Sequence, residues 1–299
     1  MIKRSFLIIF LGFIICGLIS CRSTQLSLEN LKEVREGKFT CYFDNLYHDF
    51  IIDLPDNYDS TRKTPLIVLL HGYGNSAEAF RNATEFHEAA NPRGYAVVYV
   101  TGAKNKKDKT SSVGWNSGIS KDGNKDVEFL VALVNYLQEE YGFDKSRIYS
   151  AGFSNGGFMN HRLAMEAEET FRACVSVAGK MPVELWNLRN EKNNISFMQV
   201  SGEKDDGVPK NSNGTAKYAR DPAIEDVMEY WATSNNLDES EIIKIANGSI
   251  LTKWNSKKNE SVNQVWHLLV KDGYHSWPTK ELNGIEINEI ILDFFDEIK

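Results

Sequence analysis

The sequence predicts an α/β protein with a mainly parallel central sheet and helices on both faces. Three observations carry that prediction. Pro65 to His71 (PLIVLLH) and Tyr95 to Val100 (YAVVYV) are apolar runs without polar alternation, as expected of strands covered on both sides. From residue 65 onward such runs alternate with segments of helical apolar spacing, the pattern of parallel strands joined by crossover helices. The chain has 299 residues, 42% hydrophobic and 25% charged, enough to bury the core of one large domain.

The elements follow in order. Lys3 and Arg4 precede an uncharged run from Phe6 to Ile19 that ends in Leu18-Ile19-Ser20-Cys21. A basic start, a short apolar stretch and small residues describe an export signal over residues 1–20. At about 1.5 Å per residue the run would reach only ~21 Å, short of the ~30 Å hydrocarbon core, so a permanent membrane span is the weaker reading. Cys21 then becomes a lipidated first residue, because the Leu-x-Ser-Cys ending resembles a bacterial lipobox. Residues 21–37 are polar and read as a tether, with the domain expected over 38–299.

Within that domain, Lys38 to Asp44 and Tyr47 to Leu54 read as a hairpin, and Ala77 to Ala90 as one helix stopped at Asn91-Pro92. Asp126 to Tyr141 is a helix with its acid at the start, where the dipole favours it. Arg147 to Ala151, Ala173 to Val177 and Ile195 to Val200 are strands. Gly156 to Glu166, Pro222 to Asn235 and Ile285 to Ile298 are helices. The stretches Glu241 to Trp254 and Ser261 to Val270 read as a strand pair. Of the remaining cysteines, Cys41 and Cys174 sit in apolar segments and read as buried small side chains, with nothing to support a disulfide. A formal charge of −7 argues against nucleic acid as a partner. No metal-ligand spacing is present, and neither a metal nor another cofactor is expected.

The strongest local signal is Gly152-Phe153-Ser154-Asn155-Gly156, a G-x-S-x-G directly after a strand and before a helix. A serine on so tight a turn stands clear of the chain, and the glycines leave room for it. The Asn155 N–H at the helix start is free to bind a developing oxyanion. The same glycines would suit a tight turn with no chemistry, so the remaining members of a relay decide. On the α/β-hydrolase fold the nucleophile, acid and histidine follow in that order. His161 lies inside the elbow helix and His267 in mid-strand, which leaves His275 in the loop Gly273-Tyr274-His275-Ser276-Trp277-Pro278. The acid falls just past the strand at 195, where Glu203, Asp205 and Asp206 compete. His71-Gly72-Tyr73-Gly74 after the first buried strand offers a second oxyanion donor, the Tyr73 N–H.

At these residues the chain resembles the carbohydrate-esterase-one type of α/β hydrolase, a group that holds feruloyl esterases, acetylxylan esterases and polyhydroxybutyrate depolymerases. The resemblance runs from about residue 38 to the end. It rests on LLHGYG at 69–74, GWNSG at 114–118, DVEFLVALVNYL at 126–137, RIYSAGFSNGGFMNHRLA at 147–164, SGEKDDGVP at 201–209 and GYHSWP at 273–278. It implies Asp205 as the acid, three residues after Gly202 and four before Pro209. It also implies that Trp115 and Asn116 lie in a loop over the cleft and that Trp277 lies near an acyl pocket. Ser201 departs from the usual His at that position. The function expected is that of a serine esterase exported to the cell envelope and removing feruloyl or acetyl groups from plant polysaccharide fragments. The competing expectations are a polyester depolymerase and, from another class, a surface sugar-binding protein on a disabled hydrolase fold.

Overall fold

The computed structural model describes residues 27–105, 112–118, 120, 123–208, 220–245, 247–257 and 261–298. The expected signal segment, Cys21 and the first part of the tether lie outside these residues.

Eleven described strands form one sheet. They are β1 (Glu29–Arg35), β2 (Lys38–Phe43), β3 (Leu46–Asp53), β4 (Leu66–Leu70), β5 (Ala96–Val100), β6 (Ile148–Phe153), β7 (Ala173–Val177), β8 (Ser196–Gly202), β9 (Glu239–Lys244), β10 (Ile250–Asn255) and β11 (Val265–Val270). Their spatial order is β1-β2-β3-β5-β4-β6-β7-β8-β11-β10-β9. The run from β5 to β11 is parallel throughout, and the strands on either side of it pair antiparallel. Helices close both faces: α1 (Ala77–Thr84), α2 (Phe86–Ala90), α3 (Asp126–Tyr141), α4 (Asn155–Glu166), α5 (Val183–Trp186), α6 (Ile224–Ser234), α7 (Lys280–Asn283) and α8 (Ile287–Asp296).

The pleat of β4 shows why its apolar run is unbroken. Leu66, Val68 and Leu70 enter the core shared with α3, α4 and α6, while Ile67 and Leu69 enter the one shared with α1, α2 and α8. Burying a Leu or Ile side chain on either side contributes about 1.5–3 kcal/mol, so a polar residue anywhere in this strand would be costly. The α/β-hydrolase architecture expected from the sequence is the one observed.

Three elements differ from expectation. Residues 29–35, read as tether, form β1, paired antiparallel with β2. All its side chains but Leu31 are exposed, and Leu31 with Leu28 just before the strand packs on the core, so backbone pairing holds it and no periodic apolar signal marks it. The domain therefore starts before residue 38. The single helix expected over 77–90 is two, because Glu85 takes a left-handed φ of 45°. The Thr84 hydroxyl bonds back to Phe80 O, and the His87 N–H instead finds the Tyr99 hydroxyl on β5. The expected strand pair after residue 241 is three strands. The chain reverses at Gly248, φ 89°, to make the β9–β10 hairpin, and β11 joins β8. Cys41 and Cys174 are buried and unbridged, and burial pushes the Cys41 thiol up to about 12.

Two predictions follow from packing and burial. A chain shortened to begin at Lys38 should melt below one that begins at residue 27, by about 2–4 °C for each kcal/mol of β1 pairing lost, as read by circular dichroism. Burial pushes His48 and His71 down to about 4 and His161 to about 3. The unfolded chain takes up these protons near pH 6.5 and the folded one does not, so stability present above that pH is lost as pH falls towards 4. Denaturant midpoints measured from pH 7 to pH 4 should fall steadily through that window.

Candidate active site

Each site residue is delivered by the carboxyl end of a parallel strand. Between β6 and α4, Ser154 has φ 51° and ψ −115°, a strained conformation for a non-glycine residue. Crowding explains its neighbours. A Cβ on Gly156 would sit 2.1 Å from the Leu70 carbonyl oxygen, and one on Gly152 would sit 2.6 Å from the Gly156 carbonyl carbon. The Ser154 N–H donates to Val177 O at 2.9 Å, which ties the turn to β7.

The loop after β11 crosses the loop after β8. Lys204 N–H donates to Gly273 O at 2.7 Å and Glu203 N–H to Val270 O at 2.9 Å. That crossing sets His275 over the serine. Its Nε2 lies 2.9 Å from Ser154 Oγ, and its Nδ1 lies 2.9 Å from Asp205 Oδ2. Asp205 has a fully buried side chain whose Oδ1 accepts the Gly207 N–H at 2.8 Å. The Asp205 carboxylate can only accept, so Nδ1 carries the proton and donates it, and Nε2 is left to accept from the serine hydroxyl. Asp206 and Glu203, the competitors, are exposed, and Glu203 Oε2 accepts the Asp272 N–H. His161 is buried beside Phe197 and Trp231, and His267 Nε2 meets Ser201 Oγ at 3.3 Å. Neither approaches Ser154. The contact at Ser201 places an imidazole from β11 beside the position at which the sequence departs from the family pattern.

The segment after β4 is fixed through His71, which burial keeps neutral. Its Nδ1–H donates to Gly72 O at 2.6 Å and its Nε2 accepts the Gly102 N–H at 3.0 Å. The N–H groups of Tyr73 and Asn155, the expected oxyanion donors, bond to no other described backbone or side-chain group.

The residues expected to bind substrate are largely engaged elsewhere. Trp115 is buried and its indole N–H donates to His71 O at 2.9 Å. The Asn116 amide bonds to Ser120 and Asn124 within its own loop. Both residues nevertheless line a cavity beside Tyr73. The Trp277 ring packs edge-on against Phe80 and Phe86, and its N–H meets Asn288 Oδ1, so it belongs to the core under α1 and α8. Its large apolar surface is better buried there than at a wet cleft. Two side chains went unnoticed in the sequence, one of them beside His275. Phe153 lies 5.3 Å from the His275 ring, and Lys180, just past β7, forms a buried ion pair with Asp221. A lone lysine in the apolar stretch SVAGKMP was the available signal.

Comparison with known proteins agrees with this architecture. The profile of the prolyl oligopeptidase family (Peptidase_S9) matches residues 86–222, which hold Ser154 and Asp205 but not His275. NocK of Nocardia uniformis subsp. tsuyamanensis, named as an inferred esterase, is 27% identical over 72% of this chain and 65% of its own. Feruloyl esterase B of Thermothelomyces thermophilus is 29% identical over 43% of each chain. This chain thus spans less than two thirds of the length of either relative. Among solved structures, an acetyl xylan esterase from Aspergillus awamori superposes with a TM-score of 0.60 at 13% identity, over 84% of this chain and 94% of its own. An α/β serine hydrolase homologue from Coxiella burnetii gives 0.52 at 15% identity, over 88% and 98%. The chain has the α/β-hydrolase fold.

The elbow's crowding is directly testable. Gly156→Ala should drive the β6–α4 turn off the Leu70 carbonyl and destabilise the protein by at least the ~1–3 kcal/mol typical of overpacking, measured by urea denaturation.

Proposed function

We propose that this chain is a serine carboxylic-ester hydrolase that acts on esterified polysaccharide fragments, with Ser154 as nucleophile, His275 as general base and Asp205 as its orienting acid. The observation that carries the reading is the unbroken relay from Asp205 through His275 to Ser154, with the Asn155 N–H next to the serine and Gly72, just before Tyr73, packed against it, neither the Asn155 nor the Tyr73 N–H bonding to another described group. In this mechanism His275 takes the Ser154 proton as Oγ attacks the ester carbonyl. The oxyanion is held by the Tyr73 and Asn155 N–H groups. The imidazolium then protonates the leaving alcohol, and water activated by the same histidine releases the carboxylic acid and restores the serine. Each step is carried by groups of this chain, the substrate and one water.

The substrate class is supported by a cavity of about 320 Å³ beside Tyr73. Among the described residues that line it, Tyr73 and Trp115 supply aromatic rings, Ser112 and Ser117 supply hydroxyls, and Asn105, Asn116 and Asn124 supply amides. These hydroxyl, amide and aromatic groups suit a hydroxylated ligand better than an aliphatic polyester. The names of the similar esterases point to the same chemistry. The sequence of the first residues supports export and a lipid anchor at Cys21, which would hold the enzyme at the cell envelope where polymer fragments arrive.

Ser154→Ala should leave a folded protein whose turnover of p-nitrophenyl acetate falls by ~10³-fold or more; retained turnover sinks the nucleophile assignment. Gly118 lines the cavity, and a Cβ placed on it meets no described atom within 4 Å. Gly118→Phe should therefore fill the space and lower kcat/KM for a feruloylated or acetylated oligosaccharide relative to the methyl ester of the same acid, by roughly tenfold. A wild-type enzyme that prefers hydroxybutyrate oligomers to both would overturn the substrate reading.

A further inference from the structure

We infer that the Asn155 side chain is a positioning group that couples the two oxyanion donors, holding the loop that carries the Tyr73 N–H to the helix that carries the Asn155 N–H. The inference rests on the serine-hydrolase reading above. The two donors come from different parts of the sheet, one from the loop after β4 and one from the first turn of α4. The helix fixes its own N–H. The Tyr73 N–H sits on an irregular segment, and its spacing from the other donor has to be set by something else.

The segment 112–117 connects them. On one side the Asn155 carboxamide grips it as a backbone partner would. Oδ1 accepts the Trp115 N–H at 2.7 Å, and Nδ2 donates to Trp115 O at 3.1 Å and to Ser117 Oγ at 3.3 Å. On the other side the same segment holds Tyr73. Gly74 N–H donates to Val113 O at 2.8 Å, and Ser112 N–H donates to the Tyr73 hydroxyl at 3.1 Å. Gly114 is where the two halves meet. A Cβ there would lie 2.8 Å from the Tyr73 ring and 2.9 Å from Asn155 Oδ1, so the ring and the amide close on one glycine from both directions. The Trp115 indole completes the brace by donating to His71 O, two residues before Tyr73.

The consequence is electrostatic. Donors stabilise a developing oxyanion most when they are already at the right spacing and need no rearrangement. Asn155 thus has two separable parts: its N–H touches the reacting oxygen, and its side chain acts on the other donor through the loop. Asparagine suits the second part because one planar amide accepts and donates at once; aspartate keeps only the accepting half.

The test is steady-state kinetics of Asn155→Ala, Asn155→Asp and Gly114→Ala on p-nitrophenyl acetate, with melting temperatures alongside. Asn155→Ala should lower kcat by roughly 10–100-fold, less than outright removal of a donor, with KM changed by no more than about threefold. The near-isosteric Asn155→Asp keeps the acceptor for the Trp115 N–H and should fall in between. Gly114→Ala should reproduce the kcat loss, and the double variant Asn155→Ala/Gly114→Ala should lose little more than the worse single one, since both break the same coupling. A kcat within about twofold of wild type in folded Asn155→Ala, a loss carried by KM, or losses that multiply fully in the double variant would overturn the inference. A wild-type protein that is neither labelled at Ser154 by a fluorophosphonate nor active on any ester overturns the hydrolase reading, and this one with it. Labelled, active wild type with an undiminished Asn155→Ala overturns the coupling alone.

Discussion

Everything at this site depends on the contact between the β6–α4 turn and the end of β4. With no side chain at Gly156, the helix backbone closes on the Leu70 carbonyl, and Ser154 is held at φ 51° at the top of the sheet. A local strain of this size, about 1–3 kcal/mol, persists only where surrounding structure over-determines it. Here that structure is the buried parallel centre, with all of β4 and all of β7 paired to β6 on its two sides. The rigidity of the sheet is therefore what keeps the hydroxyl within reach of an imidazole that comes from 121 residues away in the chain.

His275 and Asp205 are positioned by a second constraint, the crossing of the loops after β8 and β11. Gly202 and Gly273 pass so closely that a Cβ on the first would lie 2.5 Å from the second's carbonyl oxygen. Backbone hydrogen bonds lock the crossing, and the carboxylate it buries has one oxygen on Gly207 N–H and the other on His275. A buried, satisfied carboxylate beside the imidazole favours the tautomer that presents a bare Nε2 to the serine. Buried neutral histidines elsewhere, His48, His71 and His161, serve packing and bracing, and they make the fold sensitive to acid independently of the relay.

Much of this was legible in the sequence because it is encoded locally. The G-x-S-x-G between an apolar strand and a helix names its own geometry, and the two unbroken apolar runs announce doubly covered strands. Where the encoding is not local the reading failed. β1 has an exposed, mixed surface and exists because β2 offers an edge, which no periodicity records. Trp277 carries the same aromatic signal whether it lines a cleft or packs against Phe80, and only the placement of α1 and α8 chose the second.

The sequence by itself determined the class of fold, the order of the three relay residues along the chain and the identity of the strained serine, because each follows from period, glycine placement and strand ends. Position along the chain left three neighbouring acids open, the family resemblance implied Asp205, and the tertiary structure shows Asp205 to be the one that faces the histidine. Glu203, Asp205 and Asp206 are chemically interchangeable in one dimension, and only Asp205 turns inward beneath the imidazole. It also decided that Asn155 reaches across to the 112–117 segment, since hydrogen bonds between residues 40 apart depend on where the backbone brings them and leave no mark on composition or spacing.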